Sequence, residues 1–227
     1  MNIPIRAIDP TSYSHIKAFE QCPKQFYHAK HLNEFPFKET ADTKYGKEMH
    51  TAAELFIKDG EPIPSRFSYL QKPLESLARK KGKKFAELKL GVTKDLVPCT
   101  FFSKEVWVRG VIDLLIVDGK KAWVIDYKSS KKTTYAEKDQ LELMALLVFA
   151  RYTEVETVYG GLMYPRVNEL IKATYHKKDK GVLWSGWIKR NEKMKEAYKL
   201  NQWATKESGL CRAHCPVVEC IHNGANN

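Results

Sequence analysis

The chain has 227 residues, enough for one substantial hydrophobic core, and its composition is that of a folded globular protein. Lysine and arginine outnumber aspartate and glutamate by 38 to 27, a formal charge of +11 that favours a polyanionic partner, nucleic acid first. No apolar run is long enough to cross a bilayer and no apolar leader opens the chain, so a cytoplasmic protein with no membrane association is expected. In that reducing compartment the five cysteines are expected to be free or metal-bound rather than paired.

In chain order, Tyr13 to Gln21 reads as a short helix with Thr11, Ser12 or Ser14 as its cap, and Pro23 ends it at Cys22. Met49, Ala52, Ala53, Phe56 and Ile57 fall at helical spacing between Gly46 and Lys58. Gly60, Pro62 and Pro64 then break the chain, and Arg66 to Lys81 reads as a helix that ends very basic. Strands are predicted at Phe85 to Thr93, Val106 to Val117 and Ala122 to Lys128, the last two joined as a hairpin by a loop over Asp118–Lys121 longer than two residues. Tyr135 to Tyr152 is the clearest helix, apolar on nearly every face from Leu141 to Ala150 and so buried against the sheet. Two more strands, Val155 to Pro165 and Leu170 to Tyr175, precede a long helix over Gly181 to Ala204 and an irregular, cysteine-rich tail from Gly209. That order predicts an α/β or α+β core with a mixed central sheet.

Two carboxylates end almost wholly apolar runs, Asp113 and Asp126, and burying such groups is costly unless they are paired or bind a cation. Side chains alternate along a strand, so Asp126 and Lys128 point the same way, and a hairpin sets Asp113 beside Asp126. Carboxylate oxygens suit Mg²⁺ or Mn²⁺, and a lysine two positions away can hold an attacking water and stabilise developing charge. The bland alternative is a hairpin with solvated charges and one ion pair. His50, at the edge of the apolar stripe beside Met49, is either an added nitrogen ligand or a packed residue. Gln140, opening the buried helix, either contacts substrate or a bound water or serves as a cap. Basic residues cluster at Arg79, Lys80, Lys81, Lys83 and Lys84, at Lys131 and Lys132 beyond the triad, and at His176–Lys180.

These residues resemble the RecB-like, Cas-associated and phage branch of the PD-(D/E)xK nucleases. The segment Ser12–Phe26 looks like that family's N-terminal segment, Gly46–His50 like its G-x-x-x-H helix and Gly110–Asp113 like its G-x-[IV]-D strand. Ile125–Ser129 is similar to its [IV]-D-Y-K-T strand, and Gln140–Leu141 to the start of its Q-L-x-x-Y helix, with Met144 where tyrosine is usual. The resemblance implies a restriction-endonuclease-like fold with flanking helices, a single nuclease domain over residues 1–227, a helical part at 12–82, a sheet core at 85–177 and a tail at 205–227 packing near Cys22. It implies His50, Asp113, Asp126 and the Tyr127 carbonyl as ligands of Mg²⁺ or Mn²⁺, Lys128 positioning the nucleophilic water, Gln140 supporting the site and Glu87 as a helper. Lys131, Lys132, Arg79 and Lys80 would grip DNA backbone. Cys22, Cys211, Cys215 and Cys220 would hold a 4Fe–4S cluster as in AddB and the CRISPR-associated nucleases. The same thiols suit structural zinc, with His214 or His222 in place of one, or no metal at all. Cys99 reads as an ordinary strand residue.

The expected activity is a metal-dependent deoxyribonuclease, an exonuclease acting on DNA ends or single strands in recombination, repair, phage replication or CRISPR adaptation, with a helicase or recombination partner on another chain and oligomers allowed. The competing expectation is a nucleic-acid-binding or partner-docking module of the same fold with a vestigial site.

Overall fold

The structure, a computed structural model, describes residues 10–134 and 136–226. In chain order its elements are α1 (Tyr13–Gln21), α2 (Pro23–Phe26), α3 (Ala41–Asp59), α4 (Gln71–Arg79), β1 (Lys83–Val92), β2 (Pro98–Cys99), β3 (Val108–Asp118), β4 (Lys121–Tyr127), α5 (Asp139–Arg151), β5 (Thr157–Tyr164), β6 (Glu169–His176) and α6 (Lys180–Leu200). They divide between two compact units, one of Met1–Lys38 with Gly186–Asn227, the other of Glu39–Ser185. Among the described residues no helix is long and apolar enough to cross a membrane.

In the first unit Ser12 is the cap of α1, its hydroxyl accepting from the His15 N–H. Pro23 stops α1 and starts α2, because its fixed φ and missing N–H suit a first helical position. Phe26 packs edge-on to Phe19 and Tyr198, and Trp203 stacks on Tyr27 at 4.6 Å. The buried Asn191 donates to the Thr11 hydroxyl at 2.8 Å, and Arg190 grips Glu20 with two 2.6 Å contacts.

The second unit is a six-stranded sheet in the order β2-β1-β3-β4-β5-β6, antiparallel at every step except β4–β5. That parallel step needs a crossover, which α5 supplies. Its apolar surface is buried from Leu141 to Phe149, and Leu141 sits so close to Gly160 that a Cβ there would come within 3.2 Å. Met49, Ala52 and Ala53 of α3 and Leu74 of α4 join Leu114, Ile116, Ile125 and Tyr127 in one core cluster. The mixed sheet between helices is the expected fold class.

Several boundaries move for identifiable reasons. The α3 helix starts at Ala41, ahead of the apolar stripe, because Thr40 and Thr43 form a reciprocal capping box. The helix expected over Arg66–Lys81 splits into a 3₁₀ segment, Ser65–Leu70, and α4; Pro73 falls in the first turn of α4, where its missing N–H costs nothing. The hairpin loop is shorter than expected: Asp118 pairs with Lys121, leaving Gly119 and Lys120 as a two-residue turn, with Gly119 at φ +55, a conformation glycine adopts without a Cβ clash. The start expected for α5 at Tyr135 lies outside the described residues, and the helix itself begins at Asp139. The last helix ends at Leu200 rather than Ala204, because Asn201 adopts a left-handed conformation at φ +49.

Candidate active site

Strand register assembles the acids. Along β1 and β3, Ala86 faces Leu114 and Leu88 faces Ile112, so Glu87 lies opposite Asp113. Along β3 and β4, Leu114 faces Ile125, so the next position sets Asp113 opposite Asp126. Opposed residues of antiparallel strands share a face, and three carboxylates therefore form a row across three strands. Glu87 holds its place at a cost, since its φ of +49 is left-handed backbone that a side chain other than glycine adopts under strain.

Two sets of contacts meet on this row. Asp113 Oδ2 accepts the Tyr127 backbone N–H at 2.7 Å and lies 3.3 Å from His50 Nδ1. His50 also lies 4.0 Å from Glu87, and ligand atoms of His50, Glu87 and Asp113 all fall within 4.8 Å of one another. Asp126 belongs to the other set. Gln140, on the first turn of α5, donates from Nε2 to Asp126 Oδ1 at 2.6 Å and accepts at Oε1 from Lys128 Nζ at 2.8 Å. Lys128 Nζ is 2.7 Å from Asp126 Oδ2, yet that buried oxygen accepts no aligned hydrogen bond from a described residue. The sequence pattern marked Glu87 only as a helper; here it stands in the closest group of possible ligands, while Asp126 stands outside that group. An imidazole beside converging carboxylates is the donor set a hard divalent cation takes.

His50 projects from α3 one position after the fully buried Met49, with its ring edge-on to Tyr127 at 5.9 Å. Gly46, one turn earlier, lets α3 approach the chain just past Lys128: a Cβ there would lie 3.2 Å from the Ser129 hydroxyl. Met144, one turn into α5 beyond Gln140, is buried.

Burial, reinforced by neighbouring carboxylates, raises the pKa values of two of the acids. Burial pushes Glu87 up to about 7, reinforced by the charge of Asp113 and opposed by His50. Burial and Asp113 together push Asp126 up to about 6, against the pull of Lys128 and His50. Burial alone would lower His50, but its hydrogen bond to Asp113 and the charges of Asp113, Asp126 and Glu87 outweigh it, so the imidazole is raised.

A groove of about 1310 Å³ opens beside the row, between α3 and β1, lined by His50, Glu87 and Ser129 among others. Its cations are Lys47, Lys58, Lys84 and Lys89. Arg79, Lys80, Lys131 and Lys132 are not among its lining residues: Lys80 covers the Trp123 ring at 3.9 Å, Arg79 pairs with Glu75 at 3.8 Å, and Lys131 and Lys132 are exposed beyond β4. Lys47, Lys58 and Lys89 were missed as groove residues because they are scattered along the chain, and no local density marks them.

In the first unit, all four cysteines of the tail set are thiols outside any disulfide. Burial pushes the Cys215 thiol up, the Val217 backbone opposes this, and the charges of Cys211, Cys22 and Cys220 raise it further. The buried Asn223 shapes the turn around them, its amide donating to the carbonyls of Cys215 at 2.9 Å and Val217 at 3.1 Å. Cys99 is half-buried on β2, an ordinary strand position as expected.

Comparison with solved structures finds a protein from Eubacterium rectale, described as a "putative exonuclease", that is 11% identical with a TM-score of 0.53, over 91% of this chain and 87% of that one. A second, described as SSO0001, is 15% identical with a TM-score of 0.45, over 96% and 89%. No curated protein matches the chain. The first likeness extends to the fold, a mixed sheet between helices. The sequence pattern of the PD-(D/E)XK nuclease superfamily matches residues 10–220, and so spans both the acid row and the cysteine tail. The chain therefore belongs to the PD-(D/E)XK nuclease superfamily.

Proposed function

We propose that the protein is a divalent-metal-dependent deoxyribonuclease, an exonuclease that hydrolyses phosphodiester bonds at DNA ends or in single strands. The observation that carries this reading is the meeting, on one sheet face beside a lysine-lined groove, of His50, Glu87 and Asp113 with Asp126, Lys128 and Gln140. His50, Asp113 and Asp126, with the Tyr127 carbonyl and Glu87, would hold Mg²⁺ or Mn²⁺. Such an ion, when bound, supplies a lowered pKa for water and a counter-charge for a phosphoryl oxygen. With Gln140 accepting from its Nζ and Asp126 2.7 Å away, Lys128 is placed to hold a water and to stabilise charge as the phosphorus is attacked. Gln140 keeps Lys128 and Asp126 in register and is a positioning residue. Groove lysines would hold the backbone without reading sequence.

For Cys22, Cys211, Cys215 and Cys220 we propose a 4Fe–4S cluster that ties the two ends of the first unit together. The reading is supported by the charges of Cys22, Cys211 and Cys220 all acting on Cys215, and four cysteines are a donor set that such a cluster takes. Iron and sulfide analysis of protein purified without oxygen tests it; zinc in place of iron would replace the reading.

The nuclease reading is tested on end-labelled single- and double-stranded DNA with Mg²⁺, Mn²⁺ or EDTA, comparing the natural chain with Asp113→Ala and Lys128→Ala. Cleavage is expected only with a divalent ion, with a rate loss on the order of 100-fold or more in each variant. Cleavage that survives Asp113→Ala sinks the assignment, and DNA binding without cleavage by the folded natural chain points instead to a binding module.

A further inference from the structure

The groove does not end at the acids. Its wall residues Phe85, Leu88 and Lys89 also line a second concavity of about 670 Å³ on the far part of β1, β2 and the segment after it. Two aromatic pairs stand there. Phe101 and Phe102 meet edge-on at 5.0 Å, and Phe85 tilts against Tyr152 at 5.9 Å. Phe102 is 76% exposed, a large apolar ring left in solvent.

Cations surround these rings. Arg109 lies 4.6 Å over Phe101 and donates to its carbonyl at 3.2 Å, which fixes that segment in place. Lys89 sits 5.6 Å from the Phe102 centroid, and Arg151 lies 5.6 Å over Tyr152. No carboxylate is among the residues lining the concavity. Glu154 and Glu105 lie near enough for their charges to act on Tyr152 and Cys99, yet neither lines the concavity. A surface that alternates aromatic faces with positive charge matches a ligand that alternates flat rings with negative charge. A duplex hides its base faces inside the stack; only an unpaired strand presents both.

We infer that the Phe85–Phe102 concavity is a binding subsite for unpaired nucleotides, with bases stacked on Phe102 and phosphates held by Lys89 and Arg151. The inference rests on the nuclease reading, since the strand it holds is the one that continues along the groove to His50 and Glu87. It also gives the enzyme a chemical preference, single-stranded over duplex ends.

The test is fluorescence anisotropy of a labelled oligothymidine and of a matched duplex, in EDTA so that nothing is cut, using the full chain and its Phe102→Ala and Phe102→Trp variants. Because one lost stacking contact weakens binding by at least about fivefold, Phe102→Ala is expected to lose that much on the single strand, while the duplex, held by backbone charge, stays within about twofold. Phe102→Trp, which keeps a ring, is expected to bind as the natural chain does. Phe102 is exposed, so the variants keep the core intact. A smaller loss on the single strand, or an equal loss on single strand and duplex, overturns the inference; if the natural chain still cleaves DNA in that case, the nuclease reading stands. Failure of the natural chain to bind the single strand overturns the inference, while the nuclease reading is decided by cleavage with a divalent ion alone.

Discussion

The acid row and the cysteine tail are built in opposite ways. Glu87, Asp113 and Asp126 are placed by a backbone ladder: the pairing of β1, β3 and β4 sets them side by side before any side chain acts. Cys211, Cys215 and Cys220 lie in a segment with only short 3₁₀ turns, where side-chain amides from Asn223 and Asn226 reach back to backbone carbonyls of Cys215, Val217 and Cys220. A site carried on a ladder is in place before its ion arrives. A site carried on a loop draws more of its order from whatever its ligands bind.

The sharpest break in that comparison is Cys22→Ser. On the proposed 4Fe–4S reading, it is expected to abolish iron binding by the first unit and to lower its unfolding temperature, read by iron analysis and by hydrogen exchange at residues 208–226. Retention of both metal content and protection would mean that the amide bonds alone hold the tail. A smaller effect is expected from Gln140→Leu, which leaves the ladder intact and removes both contacts to Lys128 and Asp126. The cleavage rate should fall about 10- to 100-fold with little change in DNA affinity, as for loss of a group that orients metal-site residues. An unchanged rate would make Gln140 a simple helix-end residue.

The mildest effect concerns pH. Glu87 is raised from the ordinary carboxylate range to about 7, so its proton favours the folded state: that contribution is complete at low pH and is lost as pH climbs through about 7. The raised His50 acts in the same direction. Without divalent ions the melting temperature should therefore fall between pH 5.5 and 8, and added Mn²⁺ should restore more of it at pH 8 than at pH 5.5. Glu87→Gln should flatten the metal-free profile; an unchanged slope in that variant would place the titration elsewhere.

Much of the candidate site's geometry was legible in the sequence. Asp113, Asp126 and Lys128 follow from strand alternation and one hairpin, which are local rules. Glu87 needed the β1–β3 register, which depends on a pairing that the sequence does not announce, and on a left-handed residue that alternation does not foresee. Gln140 was legible as a residue but not as a bridge, since its two contacts exist only once α5 has crossed the sheet. The groove lysines were scattered in sequence and are gathered only by α3 lying along β1. Helix ends were misjudged where apolar spacing was followed instead of capping chemistry, at Thr40 above all.

The row of acids has a consequence for how this chain tolerates insertions. On β3, Asp113 alternates with Ile112 and Leu114, both fully buried. Gaining or losing one residue ahead of Asp113 would turn the acid to the opposite face and push core side chains out with it. A two-residue change keeps the faces but slides the acid by about 7 Å along the strand, beyond the reach of His50 and of its neighbours in the row. The strand's length is thus constrained twice, by packing and by chemistry. Substitution can remove one without the other, but a frame slip removes both together.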